Sequence, residues 1–297
     1  MSSLLFVLLG SLCAALYNYI FRKSSGNTQL TQQFLFWSFL FSLILALAIS
    51  GEKLLLVSWP IIGLGAVAGL FVILIFYALP KAFAAGSTNL SIGIFQSACI
   101  LPPLLMSLIF GCDCGFYYTL FHGVGALLVI LGFLRSALQA KGQKISLKWL
   151  FYIGLTFFAQ AAALTIYQYQ ALLTKPLLPH NPFLLPVTSI EASSGWFLPT
   201  LFLVVVLGNG LLLKGHILSA KKNLQEGALG SLFNTGAVAF LMIALAVATQ
   251  SFTMLIIPIN AVLTITFCNI WSQWIYKEKV DWVGMLIALS GILLSFL

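Results

Sequence analysis

The sequence predicts an all-α polytopic membrane protein: ten transmembrane helices in two five-helix inverted repeats around a central cavity. Three observations carry this expectation. The chain is 61% hydrophobic, 7% charged, and has a mean hydropathy of +1.08, far beyond the roughly 45–50% apolar content of soluble domains. Its apolar residues gather into runs of the length a helix needs, about 20 residues for a bilayer core of about 30 Å. Short patterns also recur in the same order along the two halves.

In chain order the apolar runs are 3–21, 31–50, 57–79, 88–110, 116–135, 148–173, 196–214, 226–247, 252–275 and 280–297. The first is apolar from Leu4 with no basic residue before it. A secretory signal needs a basic leading region, so this run is expected to be a retained span. Most connections are short. The exception is 174–195, TKPLLPHNPFLLPVTSIEASSG, between the sixth and seventh spans; its prolines lack backbone donors and predict an ordered or semi-ordered loop. The last connection holds KEKVD, 277–281, with Trp274, Tyr276 and Trp282 beside it. Charges flanked by such aromatics fit a membrane–water interface.

The basic residues stand singly and in pairs at span ends, which excludes a nucleic-acid stripe. Arg22, Lys23, Lys81, Arg135, Lys141, Lys144, Lys148, Lys214, Lys221, Lys222, Lys277 and Lys279 gather on one side of the predicted bundle, Lys53 and Lys175 on the other. Cytoplasmic loops carry the excess of Lys and Arg, so both termini are expected outside. Cys13, Cys99 and Cys268 fall inside spans, where a thiol is a small hydrophobe. Cys112-Asp113-Cys114 is a tight loop pair with no partner His or further Cys nearby in sequence, so no metal site and no cofactor is expected.

Three matches relate the halves, 1–138 and 139–297. Ala78/Ala82 pairs with Ala244/Ala248 in an Ala-Leu-x-x-Ala pattern, and Gly125/Gly132 with Gly284/Gly291 at a seven-residue spacing. Tyr17-Asn18-Tyr19 pairs with Tyr167-Gln168-Tyr169. A unit of five spans ends on the side opposite its start, so its duplicate must be inverted. Inverted repeats are a common construction of secondary transporters, with the solute site where the repeats meet. Gly63, Gly65, Gly69, Gly227, Gly230 and Gly236 are expected to let helices approach closely.

The segment 256–297 carries Pro258, Glu278, Gly284 and Gly291, and the first half offers Pro102, Gly111, Gly125 and Gly132. On these residues the chain resembles the drug/metabolite transporter superfamily, of the ten-span EamA type. The first half departs from that pattern where a Glu is expected, with Cys112 and Asp113 there instead. The resemblance implies a basket of helices around a central cavity that exchanges small polar metabolites, in a bacterial plasma membrane. Glu278 is expected to pair with Lys277 or Lys279 at the interface rather than to enter the site.

All six acidic residues fall in loops or at span ends. This argues against a proton–drug antiporter built on an embedded Glu and favours a neutral or zwitterionic solute, amino acid-like or heterocyclic. Uncharged groups must then bind it. Amides buried in lipid must face another helix or a wet cavity; Asn18, Gln96, Gln160, Gln168, Asn234 and Asn260 are candidates. Asn260 follows Pro258, whose missing N–H frees a carbonyl one turn earlier. Tyr19, Trp37, Tyr77 and Tyr167 join them as rings with polar tips. A membrane enzyme would need converging titratable groups, and a scaffold a large soluble surface. The acids stand scattered singly among loops, and only the 174–195 loop is long enough to suggest such a surface; both readings stay as alternatives to transport, and no catalytic residue is assigned.

Overall fold

A computed structural model of the chain describes residues 2–24, 28–86, 88–111, 114, 116, 118–138, 146–175, 182–213, 221–275, 277 and 281–294. The helices in chain order are α1 (Ser2–Ser24), α2 (Thr28–Ser50), α3 (Trp59–Ala85), α4 (Thr88–Ser97), α5 (Leu101–Phe110), α6 (Leu120–Leu138) and α7 (Leu147–Leu173). The short α8 (Ser189–Ala192) precedes α9 (Phe197–Leu212), α10 (Lys221–Val247), α11 (Gln250–Ile275) and α12 (Trp282–Leu294). Tight 3-10 turns follow α2 at Gly51–Leu55 and join α4 to α5 at Ala98–Ile100. No strand occurs among the described residues.

Seven helices are long and apolar enough to cross a membrane, with α4, its turn and α5 counted as one; shorter apolar stretches lie in α6, α9 and α12. Outward faces are apolar as well. Leu55 (86%), Leu211 (83%) and Leu108 (75%) are among the most exposed side chains, as lipid solvation allows and water does not. Meanwhile Ser11, Ser38, Thr156 and Gln168 are wholly buried. The architecture is that of a polytopic helical membrane protein.

Local chemistry sets the ends. The Ser146 hydroxyl accepts from the Trp149 N–H at 3.1 Å and starts α7. Pro60 stands in the first turn of α3, where its missing donor costs nothing. Pro102 and Pro103 would otherwise donate to the Ala98 and Cys99 carbonyls. Ala98 instead accepts from the Leu101 N–H, which closes the 3-10 turn between α4 and α5. Pro258 removes a single donor, and α11 runs through it unbroken.

The packing comes in matched pairs. Helix α1 lies along α10 as α3 lies along α7, α2 along α10 as α3 along α9, and α1 along α11 as α7 along α4 and α5. Two contacts are their own match, α2 with α9 and α6 with α12. Glycines make several of these close. A Cβ on Gly65 would stand 2.6 Å from the Phe197 carbonyl oxygen, one on Gly69 2.8 Å from that of Leu201, and one on Gly227 2.6 Å from the Trp37 Cβ. On Gly230 it would meet the Phe34 ring at 3.0 Å, and on Gly236 the Cys13 sulfur at 3.1 Å. Gly63 differs from this group: nothing lies within 4 Å of its Cβ position, so it makes no close approach.

The α6–α12 seam brings backbone onto backbone. A Cβ on Gly132 would lie 2.4 Å from the Gly284 carbonyl oxygen, and one on Gly291 2.5 Å from the Gly125 carbonyl oxygen. The two helices therefore run antiparallel, each glycine against the partner's backbone. Arg135 Nε and an Asp281 carboxyl oxygen, 3.3 Å apart, form an ion pair at one end of this seam. Asp281 of the KEKVD segment is thus tied to another helix; Glu278 and Lys279 lie outside the described residues.

Candidate functional site

A chamber of about 160 Å³ lies among α1, α2, α3, α4, α7, α9, α10 and α11, with α6 and α12 outside its wall. Its polar lining includes Asn18, Gln96, Gln160, Tyr167, Asn234 and Asn260. Its apolar lining is rich in rings, among them Phe21, Phe39, Phe76, Phe95 and Phe202. Phe39 and Phe76 meet at a steep angle, centroids 5.1 Å apart. Among the described residues no acidic side chain lines the chamber.

The amides are held to different degrees. Asn234 donates to the Ser42 hydroxyl at 3.3 Å. Ser11 donates to the Asn260 side-chain oxygen at 3.0 Å and to its backbone carbonyl at 3.2 Å. The same hydroxyl has the Val7 carbonyl at 2.7 Å, and no described residue accepts from the Asn260 amide nitrogen. Gln96 and Gln160 have no hydrogen-bond partner among the described residues. Their donors and acceptors are unspent in a wall that is otherwise apolar.

The chamber continues toward the end of α1. A passage of about 50 Å³ shares Asn18, Phe21, Leu79, Phe95 and Gln96 with it and adds Tyr19, Arg22, Trp271 and Ser272. Arg22 donates to the Ser272 hydroxyl at 3.3 Å. Nearby, Glu226 accepts from the Ser24 hydroxyl at 3.0 Å and pairs with the Lys23 amine at 3.5 Å. This is the basic face of the bundle.

The opposite face carries a wider hollow of about 410 Å³ bounded by Ser50, Lys53, Gln170, Ser194 and Phe197 among others. Tyr167 of the chamber wall meets Phe197 of that hollow edge-on, centroids 5.9 Å apart. Leu201, Leu241 and Leu245 are buried around them. Backbone and side-chain bonds draw this face together: Ser50 donates to the Gly195 carbonyl at 2.8 Å and the Trp196 indole to that of Leu54 at 2.9 Å. The Lys175 amine donates to the Thr253 hydroxyl at 2.8 Å and the Ala248 carbonyl at 3.4 Å. Burial pushes the Lys175 amine below the usual lysine range.

Three residues singled out in the sequence lie elsewhere. Gln168 is fully buried between helices and donates to the Thr253 carbonyl at 3.3 Å. Trp37 packs edge-on against Phe36, centroids 5.5 Å apart, and backs onto Gly227. Tyr77 faces outward at 38% exposure with the Lys81 amine 3.3 Å from its ring centroid, a cation–π contact. Tyr169, from the same motif as Tyr167, ties down the long loop: its hydroxyl donates to the Phe183 carbonyl at 3.0 Å and accepts from the Leu185 N–H at 2.8 Å. Arg22 and Trp271 line the passage although sequence reasoning used Arg22 only for orientation and passed over Trp271. The available signal was a cation one helical turn past Asn18.

No protein-family model matches the chain, and no curated protein matches it in sequence. Its fold matches 28 solved chains, so the arrangement is an established one. One is a crystal structure with a TM-score of 0.58 at 16% identity, covering 99% of this chain and 94% of the other. A likeness at that identity is one of fold alone.

Proposed function

We propose that this chain is a secondary transporter of small polar metabolites, of the ten-span EamA type within the drug/metabolite transporter superfamily. The halves 1–138 and 139–297 act as inverted five-helix repeats that rock about the chamber to give alternating access. The observation that carries the reading is the chamber itself. It is apolar and ring-lined, and it contains amides whose hydrogen-bonding capacity no described residue consumes. Transport by uncharged recognition needs such a wall.

The matched packing supports the repeat. Exchanging the first five spans for the last five turns α1–α10 into α7–α3, and α2–α10 into α9–α3, and each of these pairs packs together. Under the same exchange α6–α12 maps onto itself, with its two helices antiparallel, as inverted copies require. Ala78, Ala82, Ala244 and Ala248, which correspond in this scheme, are all buried. In this reading the solute enters the chamber from the basic face through the Arg22 passage. With both termini outside, that face is cytoplasmic.

Solute exchange tests the function. Purified chain in liposomes loaded with amino acids, nucleosides, organic acids and organic cations is expected to release one class selectively, measured by mass spectrometry against empty liposomes. Efflux no faster than from empty liposomes, by protein shown to be folded, would refute the transporter reading.

A further inference from the structure

The geometry points to the solute's chemistry: an uncharged, single-ring heteroaromatic whose edge sets an N–H beside an acceptor, as a pyrimidine base does. This inference rests on the transporter reading and narrows it to one class of solute.

The wall disfavours charge. Among the described residues lining the chamber there is no Lys, Arg, His, Asp or Glu. Arg22 stands beyond the chamber, in the passage, bonded to Ser272. An ion brought against the chamber wall gives up its water and meets no countercharge there, which is costly. A zwitterion carries that cost at both of its ends.

Carboxamides dominate the polar lining, and each sets a carbonyl acceptor beside an N–H donor. Gln96 on α4 and Gln160 on α7 have both halves unspent among the described residues, and their helices pack against each other. Asn234 and Asn260 are each bonded to one serine, Ser42 and Ser11. A carboxylate only accepts and an ammonium only donates, so either leaves half of a carboxamide unmet. A ring edge that sets an N–H next to an acceptor meets both halves at once, in the bidentate manner by which Asn and Gln read adenine.

The rest of the wall suits a flat ring. Phe76 meets Phe21 and Phe39 edge-on, centroids 5.8 Å and 5.1 Å away, and all three line the chamber. Every base offers a π-face to such rings, whereas a sugar would turn hydroxyls toward them. At about 160 Å³ the chamber is close to the cavity of about 150 Å³ that holds a benzene ring. One six-membered ring with small substituents fills it.

Equilibrium binding to the purified full chain tests this, with uracil as the probe and two matched pairs as controls. The isomers 5,6-dimethyluracil and 1,3-dimethyluracil are equal in size, but the second has lost both N–H groups. Orotamide and orotate share one shape and differ in charge. Uracil is expected to bind, and 5,6-dimethyluracil and orotamide to bind at least about tenfold more tightly than their counterparts. Gln96→Leu and Gln160→Leu should each weaken uracil about tenfold. No binding of uracil by folded native chain, equal affinity for the two isomers, orotate held as tightly as orotamide, or uracil affinity unchanged in both variants would overturn the inference. The contrasts in the native chain need no variant, so a misfolded variant does not protect the idea. The flux assay, with uracil added to the load, separates this failure from that of the parent reading. Glutamine-dependent uracil binding without flux of any solute would sink transport and keep the site. Selective flux of an ion or an amino acid that ignores both glutamine variants would keep transport and sink the inference.

Discussion

The α6–α12 seam and the central chamber are both places where the halves meet, and they are built in opposite ways. At the seam each helix presents glycine, and backbone lies on backbone with no room for a Cβ. At the chamber the facing helices present Tyr17, Tyr167, Phe39, Phe76 and amides, side chains too large to let the backbones close. The comparison teaches that this bundle holds its space open with residue size. Small residues on α6 and α12 anchor the halves at the flank, while rings and amides prop them apart at the centre.

The seam offers the largest effect. Gly132→Leu, or Gly291→Leu, drives a side chain into the partner's carbonyl and forces two helices apart. Overpacking of this kind costs about 3 kcal/mol or more where backbone cannot yield. Both variants should lose folded yield and melt well below the native chain in detergent, by static light scattering or intrinsic fluorescence. A native-like melting temperature for either would show that the seam is loose and would break the comparison.

The chamber should respond in function and hardly in stability. Gln96→Leu and Gln160→Leu remove amides that bond to no described residue, so stability should shift by under about 1 kcal/mol, in either direction. Solute flux should fall about tenfold or more, as expected when a polar contact is lost from a dry wall. A drop in stability with unchanged flux would make these residues structural and the chamber incidental.

The two regions were also legible in the sequence to different extents. The glycine spacing showed as a repeat of Gly125/Gly132 in Gly284/Gly291. Equivalence does not imply contact, and only the antiparallel crossing on a shared axis brings each glycine to the other's backbone. For the chamber, the rule that an amide in lipid needs a partner or a wet space located Asn18, Gln96, Gln160, Asn234 and Asn260 at its wall. The same rule cannot say which alternative holds, so Gln168 looked alike in sequence and is spent on the Thr253 carbonyl. Rings with polar tips were less informative, since interface, core and cavity all suit them: Tyr77 faces out under Lys81 and Trp37 packs on α10. The break between α4 and α5 follows from two adjacent prolines against the single one in α11, although the fourth run read as continuous.

A smaller effect probes the loop on the face opposite Arg22. Tyr169→Phe removes the hydroxyl that holds both the Phe183 carbonyl and the Leu185 N–H. About 1 kcal/mol of local order should go with it. Limited proteolysis should then cut 182–188 several-fold faster, while Gly132→Leu should affect the whole bundle. Uniform loosening in Tyr169→Phe would mean that the loop supports the core.

The smallest expected effect concerns pH at that same face, where Lys175 leaves the end of α7 and reaches the start of α11 and the Ala248 carbonyl. Burial lowers its pKa from the ordinary lysine value of 10.5. The folded chain therefore gives up this proton at a lower pH than the unfolded chain does. Between the lowered folded value and 10.5 the unfolded state binds more protons, and stability rises with pH through that window. Below the window the cost of burying the charged amine is fully present; above it the cost is relieved. Because the amine is only partly buried, solvent screening keeps the change below about 1 kcal/mol. Lys175→Met should flatten this alkaline rise in melting temperature, and Gln160→Leu should leave it intact. If Lys175→Met preserves the rise, another group titrates there. If Gln160→Leu abolishes it, the Lys175 face and the chamber are electrostatically coupled, and the responsive centre would extend to that face.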